Sequence, residues 1–183
     1  MTQPILSVPD AVLRKKSIAI DKITPAVQVQ IDELIEAMVG ATNPEGVGLS
    51  FPQIGYNIRG FVTYLEKRVK VYLNPIILDQ SEELTLGGTP ERPTLEGCLS
   101  IPWLYGPVWR PKKIKIQAMD EHGVEFTKSL SSFPARLAMH EYDHLEGVLF
   151  TDYTLRDHLP LYLLNHEQDK FVQIEDPATV IKW

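Results

Sequence analysis

The chain has 183 residues, 44% hydrophobic and 23% charged, with a formal net charge of −6, enough to bury one core, so a single domain over 1–183 is expected. No apolar run approaches the roughly 18 residues of a membrane span, the start lacks the charged-then-apolar order of a signal peptide, and Lys and Arg are scattered, so a soluble chain with no membrane and no nucleic-acid partner is expected. The single cysteine permits no internal disulfide and suits a reducing interior, either a cytoplasm or that of an organelle.

In chain order, Thr24-Pro25 followed by Val27, Ile31, Leu34, Ile35 and Met38 sets apolar residues at helical spacing. Thr24 as N-cap and Pro25 in the first turn start this helix, and Gly40 closes it. Between about Ile58 and Gln117 the pattern changes to short β-branched and aromatic runs such as Phe61–Tyr64, Val69–Leu73 and Ile114–Gln117, separated by Gly, Pro and Asn turns, which reads as strands. His122-Gly123 between two such runs predicts a hairpin. A second helix is expected from near Pro134 to near Gly147, and a third from Leu155 to about Gln168. The fold class is α+β, with mixed or antiparallel sheets packed around the second helix, an N-terminal helix and a C-terminal helix.

The second helix carries His140-Glu141-Tyr142-Asp143-His144. Residues four apart share a helix face, so the two imidazoles can meet one ion, and Glu141 stands beside it as a base for a bound water. Alone, this five-residue pattern also arises by chance in histidines of purely structural use, so a third ligand decides. Gly147 fits the longer metzincin pattern, but position 150 is Phe where that pattern needs a histidine. Glu167 is a possible downstream carboxylate ligand, as in thermolysin-like enzymes. The stronger candidate is Cys98 in Glu96-Gly97-Cys98-Leu99-Ser100, because a thiolate is a good ligand for Fe(II) or Zn(II). A third segment, Gly46 to Gln53, combines two glycines with an amide that could donate to a developing oxyanion.

In this order and spacing the three segments resemble the signature of peptide deformylases: a GxGLAAxQ-like loop, EGCLS and HExDH. The second and third are matched in full, by Glu96–Ser100 and His140–His144. The resemblance implies removal of the N-formyl group from the initiating methionine of newly synthesised polypeptides, with release of formate. It implies one divalent ion, natively Fe(II) and replaceable by Zn, Ni or Co, on Cys98, His140 and His144. Glu141 would be the general acid/base while a metal-bound hydroxide attacks the formyl carbon. Gln53 and the Leu99 backbone N–H would form the oxyanion site, Val47 and Gly48 would line the substrate channel, and Leu137 would face the methionine pocket. Three positions depart from the pattern: Ser50-Phe51 replaces a pair of alanines, and Met139 replaces a common Gln.

Rival readings are a zinc peptidase or a deacylase for other acyl groups, and a degenerate relative that binds N-termini without turnover. From Thr154 to Trp183 there are three basic and five acidic residues. The resemblance implies transient ribosome association, but this acidic segment does not support docking on RNA.

Overall fold

The structure is a computed structural model, and it describes residues 3–165 and 169–181. The first helix, α1, runs Pro25–Gly40. Its start is set as the sequence suggests, with Thr24 Oγ accepting from Val27 N–H at 3.3 Å and Pro25 in the first turn, where no N–H is needed. Strands β1 (Gly48–Ser50), β2 (Gly60–Leu65) and β3 (Arg68–Gln80) follow. Then come β4 (Leu84–Thr85), β5 (Leu95–Cys98), β6 (Ile101–Pro107) and β7 (Arg110–Pro111). The hairpin expected at His122-Gly123 joins β8 (Lys113–Met119) to β9 (Glu125–Ser131). Its turn is held by Asp120, whose carboxylate accepts from His122 and Val124 N–H at 2.9 Å each.

Every pairing between these strands is antiparallel. One sheet has the order β1-β2-β3-β8-β9, and β4 pairs with β7. The large sheet is covered on both faces. Ile31, Leu34 and Met38 of α1 pack with Leu49, Val62, Val71 and Leu73, while Phe61, Tyr72, Ile114 and Ile116 point the other way. There they meet Ala135, Ala138 and Leu145 of the second helix, α2, which spans Ser132–Leu145. Neighbouring residues of β2 thus reach opposite cores, which is why its first four positions are all buried rather than alternating.

The helix α2 ends in a Schellman turn: Gly147 N–H donates to the His144 carbonyl at 3.3 Å and Val148 N–H to that of Asp143 at 2.9 Å. Gly147 has φ +73°, and a Cβ there would lie 2.6 Å from the Arg14 carbonyl oxygen, so the turn requires glycine.

The third helix is not where the sequence suggests. It is α3, Phe150–Arg156, and the chain then turns at His158, with φ +54°, and Pro160, which removes an N–H and forces the residue before it out of the helical region. Of the stretch expected to be helical, Tyr162–Asn165 is instead a strand, β10, paired with β11 (Lys170–Gln173). These two complete a second sheet of order β11-β10-β6-β5. Leu161 is buried with Cys98, Ile101, Leu104 and Phe150 in a third core. The end of that predicted helix, through Gln168, lies outside the described residues.

Candidate metal centre and active site

Three separate elements bring the chemistry-bearing residues together. Cys98 ends β5, where Leu99-Ser100 makes the two-residue turn to Ile101. His140, Glu141 and His144 lie on α2. Gln53 sits in a 3-10 turn, Phe51–Ile54, that follows β1 and closes at Gly55, whose φ is +87°.

Cys98 Sγ and a ring nitrogen of each histidine lie within 4.8 Å of one another, all three side chains buried. Cys98 Sγ and His144 Nε2 are 3.3 Å apart. Bond lengths of about 2.0 to 2.3 Å place two donors of one tetrahedral ion roughly 3.5 Å apart, so this donor set fits a single dication. Burial works against a proton on His140, but its hydrogen bonds to Cys98 and Glu96, with the charge there, outweigh burial and hold this imidazole well above its usual pKa, so an ion taking Nε2 does so by displacing a proton. Burial, reinforced by charge on His140, pushes His144 well below the usual range, leaving a neutral ring able to ligate. Glu167 lies outside the described residues, and Phe150 is a packing residue, its ring stacked on that of His140 with centroids 6.2 Å apart.

His140 is aimed by a buried charge network. Its Nδ1 lies 3.0 Å from Glu96 Oε2, so Nδ1–H donates to that carboxylate and Nε2 is left for the ion. Glu96 also accepts from Arg110 at 2.8 and 2.9 Å and from Arg136 at 2.7 Å. Arg110 in turn pairs with Asp143 at 2.5 Å. Burial alone would raise the Glu96 pKa, but Arg110 and His140 hold it well below the carboxylate range. Two cations and two anions close this network, which is what allows it to be buried.

Glu141 is only 3% exposed, and its Oε2 has no hydrogen-bond partner. Burial pushes its carboxyl up to about 7, the range in which a group can both take and return a proton. Gly48 makes room for it: a Cβ at residue 48 would stand 2.5 Å from Glu141 Oε1 and 2.9 Å from Leu137 Cδ1. The backbone of β1 therefore passes directly against the acid.

A cavity of about 230 Å³ opens beside these groups. Its walls include Val47, Gly48, Gln53, Leu99 and Leu137 as well as Cys98, His140 and Glu141. Eight of the site residues expected from the sequence thus line one cavity, and His144 lies buried next to Cys98, its Nε2 3.3 Å from the sulfur. Leu95, Tyr105 and Phe133 also line the cavity, and sequence reasoning missed them. It also missed the roles of Glu96, Arg110, Arg136 and Asp143. Helical spacing signalled two of these, since Arg136 and Asp143 stand four before and three after His140.

The Ser50-Phe51 departure leaves Gln53 in place. Phe51 is fully buried with α1 and the large sheet, and its ring fills the space over Gly60, where a Cβ would be 3.0 Å from Phe51 Cε2. The neighbour that accepts the added ring is therefore a residue with no side chain.

The polypeptide deformylase family profile matches residues 2–158. The chain belongs to the polypeptide deformylase family. Peptide deformylase 1 of Clostridium perfringens is 43% identical over 148 residues, which is 80% of this chain and 93% of that protein. The chloroplastic/mitochondrial peptide deformylase 1B of Arabidopsis thaliana is 40% identical over 81% of this chain and 52% of its own length. Among solved structures, the Thermotoga maritima peptide deformylase superposes with a TM-score of 0.75 at 32% identity, over 84% of this chain and 97% of that one. The Synechococcus elongatus enzyme, solved with actinonin, gives 0.74 at 32% identity, over 82% and 78%. As a family member, this deformylase is a hydrolase; its α+β architecture with antiparallel sheets is that of its structural relatives.

Proposed function

We propose that the chain removes the formyl group from the N-terminal methionine of nascent polypeptides, using one divalent ion on Cys98, His140 and His144. The observation that carries this reading is the convergence of those three donors with the buried Glu141 and Gln53 on one cavity. Iron(II) is the proposed resident metal, with zinc, nickel or cobalt able to replace it. When bound, the ion supplies Lewis acidity, lowering the pKa of a water and polarising the formyl oxygen.

The chain's own residues do the rest. Glu141 accepts the proton of the attacking water and passes it to the leaving amine, freeing the N-terminus. Gln53 Nε2 and the Leu99 backbone N–H donate to the oxyanion; removing one such donor costs about 10² to 10³ in rate. The methionine side chain goes against Leu137, with Val47 and Gly48 along the channel. In the two sheets, β1 and β5 are terminal strands that contribute Gly48 and Leu95–Cys98 to the cavity, and strand edges of this kind suit pairing with an extended peptide backbone.

We read residues 1–183 as one catalytic domain, since the segment beyond the family match contributes Leu161 to the core that holds Cys98. No described helix is long and apolar enough to cross a membrane. Relatives from Clostridium perfringens and from the organelles of Arabidopsis thaliana support a bacterial cytoplasm or an organellar interior. The substrate comes from the translating ribosome, without tight docking through the acidic C-terminal segment, and without nucleic-acid or membrane binding.

Kinetics on formyl-Met, acetyl-Met and unblocked Met peptides test the substrate. Turnover confined to the formyl peptide is expected, and equal rates on the acetyl peptide would replace the reading with a general deacylase. Iron is tested by air exposure: a ferrous ion on a thiolate should lose activity to oxidation while a nickel form persists. Equal persistence would remove iron as the resident metal.

A further inference from the structure

We propose that Ser50 is a positioning residue for Gln53, its hydroxyl and backbone N–H together holding the amide oxygen so that the amide nitrogen is turned toward Cys98. The proposal rests on the oxyanion reading of Gln53 and deepens it.

Ser50 N–H and Ser50 Oγ–H each donate to Gln53 Oε1 at 2.9 Å. A backbone N–H can only donate, so the atom facing it is the amide oxygen, and an amide oxygen accepts two hydrogen bonds. Both are taken by Ser50. The nitrogen then points to Ser100 Oγ at 3.2 Å and Cys98 Sγ at 3.5 Å. A half-turn of the amide would set its NH₂ against the Ser50 N–H and its oxygen against the cysteine sulfur. Ser50 and Gln53 are 0% and 2% exposed, so water cannot relieve that mismatch.

In the loop pattern that this segment resembles, the residue at position 50 is alanine, which offers only the backbone N–H. The hydroxyl adds a second latch. An amide held in one orientation before the oxyanion forms has less to reorganise when it does, and preorganisation of this kind is the source of an oxyanion donor's rate advantage. The two departures in the loop therefore serve different ends, Ser50 the site and Phe51 the core.

The test compares Ser50→Ala, Gln53→Ala and the double variant, all zinc-loaded, by kcat and KM on a formyl-Met peptide and by ¹H–¹⁵N spectra of the Gln53 side-chain amide. Zinc is diamagnetic, and Gln53→Ala assigns the amide pair. Ser50→Ala removes one atom and installs the pattern residue, and melting curves verify its fold. One lost hydrogen bond predicts a roughly 3- to 10-fold fall in kcat with KM unchanged, faster solvent exchange of the Gln53 amide, and no further loss when Gln53 is already alanine. An equal loss in both backgrounds would show that Ser50 acts elsewhere and overturn the proposal. Wild-type kcat and amide exchange in Ser50→Ala would overturn it as well. Wild-type kcat in Gln53→Ala would instead remove the oxyanion role of Gln53, and this proposal with it.

Discussion

Glu96 accepts four hydrogen bonds from three buried side chains, Arg110, Arg136 and His140. Replacing it by alanine would leave Arg136 without a carboxylate and Arg110 with Asp143 alone, and breaking a buried pair in this way costs about 3 to 5 kcal/mol. Without its acceptor His140 Nδ1 also loses its orientation, so metal affinity should fall roughly 10- to 100-fold. Urea unfolding and competition with a chromogenic chelator measure the two effects; wild-type affinity in Glu96→Ala would mean that His140 is aimed by something else. Gly48→Ala makes a second residue-scale prediction. The new methyl would displace Glu141 or Leu137, and a misplacement of about 1 Å costs on the order of 10²-fold in turnover. An unimpaired Gly48→Ala enzyme would show that the Glu141 position is not critical. At this scale the sequence was legible where spacing alone dictates geometry. The pair His140 and His144 is one such case. The link from Arg110 to Glu96 and Asp143 spans 14 and 33 positions and exists only once β7 is folded against β5 and α2. The fate of Phe51 depended in the same way on Gly60, nine positions away.

Among the elements, α2 carries most of the chemistry, and its end is defined by Gly147. An alanine there would have to hold φ near +73° and press on the Arg14 carbonyl, a left-handed strain of about 1 to 2 kcal/mol before the contact is counted. Gly147→Ala should therefore lower the melting temperature and loosen the last turn, which holds His144; an unchanged melting curve would refute the assignment of the Schellman turn. Both α1 and this C-terminus were legible, because Thr24, Pro25 and Gly147 act through local backbone physics. The third helix was not. Leucines at positions 159, 161, 163 and 164 suit either period, and only Pro160, the positive φ of His158 and the available edge of β6 decide for a strand.

Over the whole molecule, the site lies where α2, the end of β5 and the turn after β1 meet, so that an ion would tie one sheet to the helix that covers the other. Removing it should destabilise the fold, by about 2.7 kcal/mol when free metal stood at 100 times its Kd. A melting temperature unchanged by chelation would argue against binding at Cys98, His140 and His144. The three motifs stand about 45 residues apart, and their order and spacing made the site readable before the fold was. The cavity walls contributed by Leu95, Tyr105 and Phe133 carried no such signature, being apolar residues on strands and at a helix start. If this ion and Glu141 together release formate, both must be present for turnover. Formate release from a formyl-Met peptide and metal content are measured in the same anaerobic preparations of the wild type and Glu141→Gln. One ion per chain in both proteins, with turnover in the wild type alone, is the predicted result. Full turnover in Glu141→Gln, or wild-type turnover with no ion bound, would contradict it.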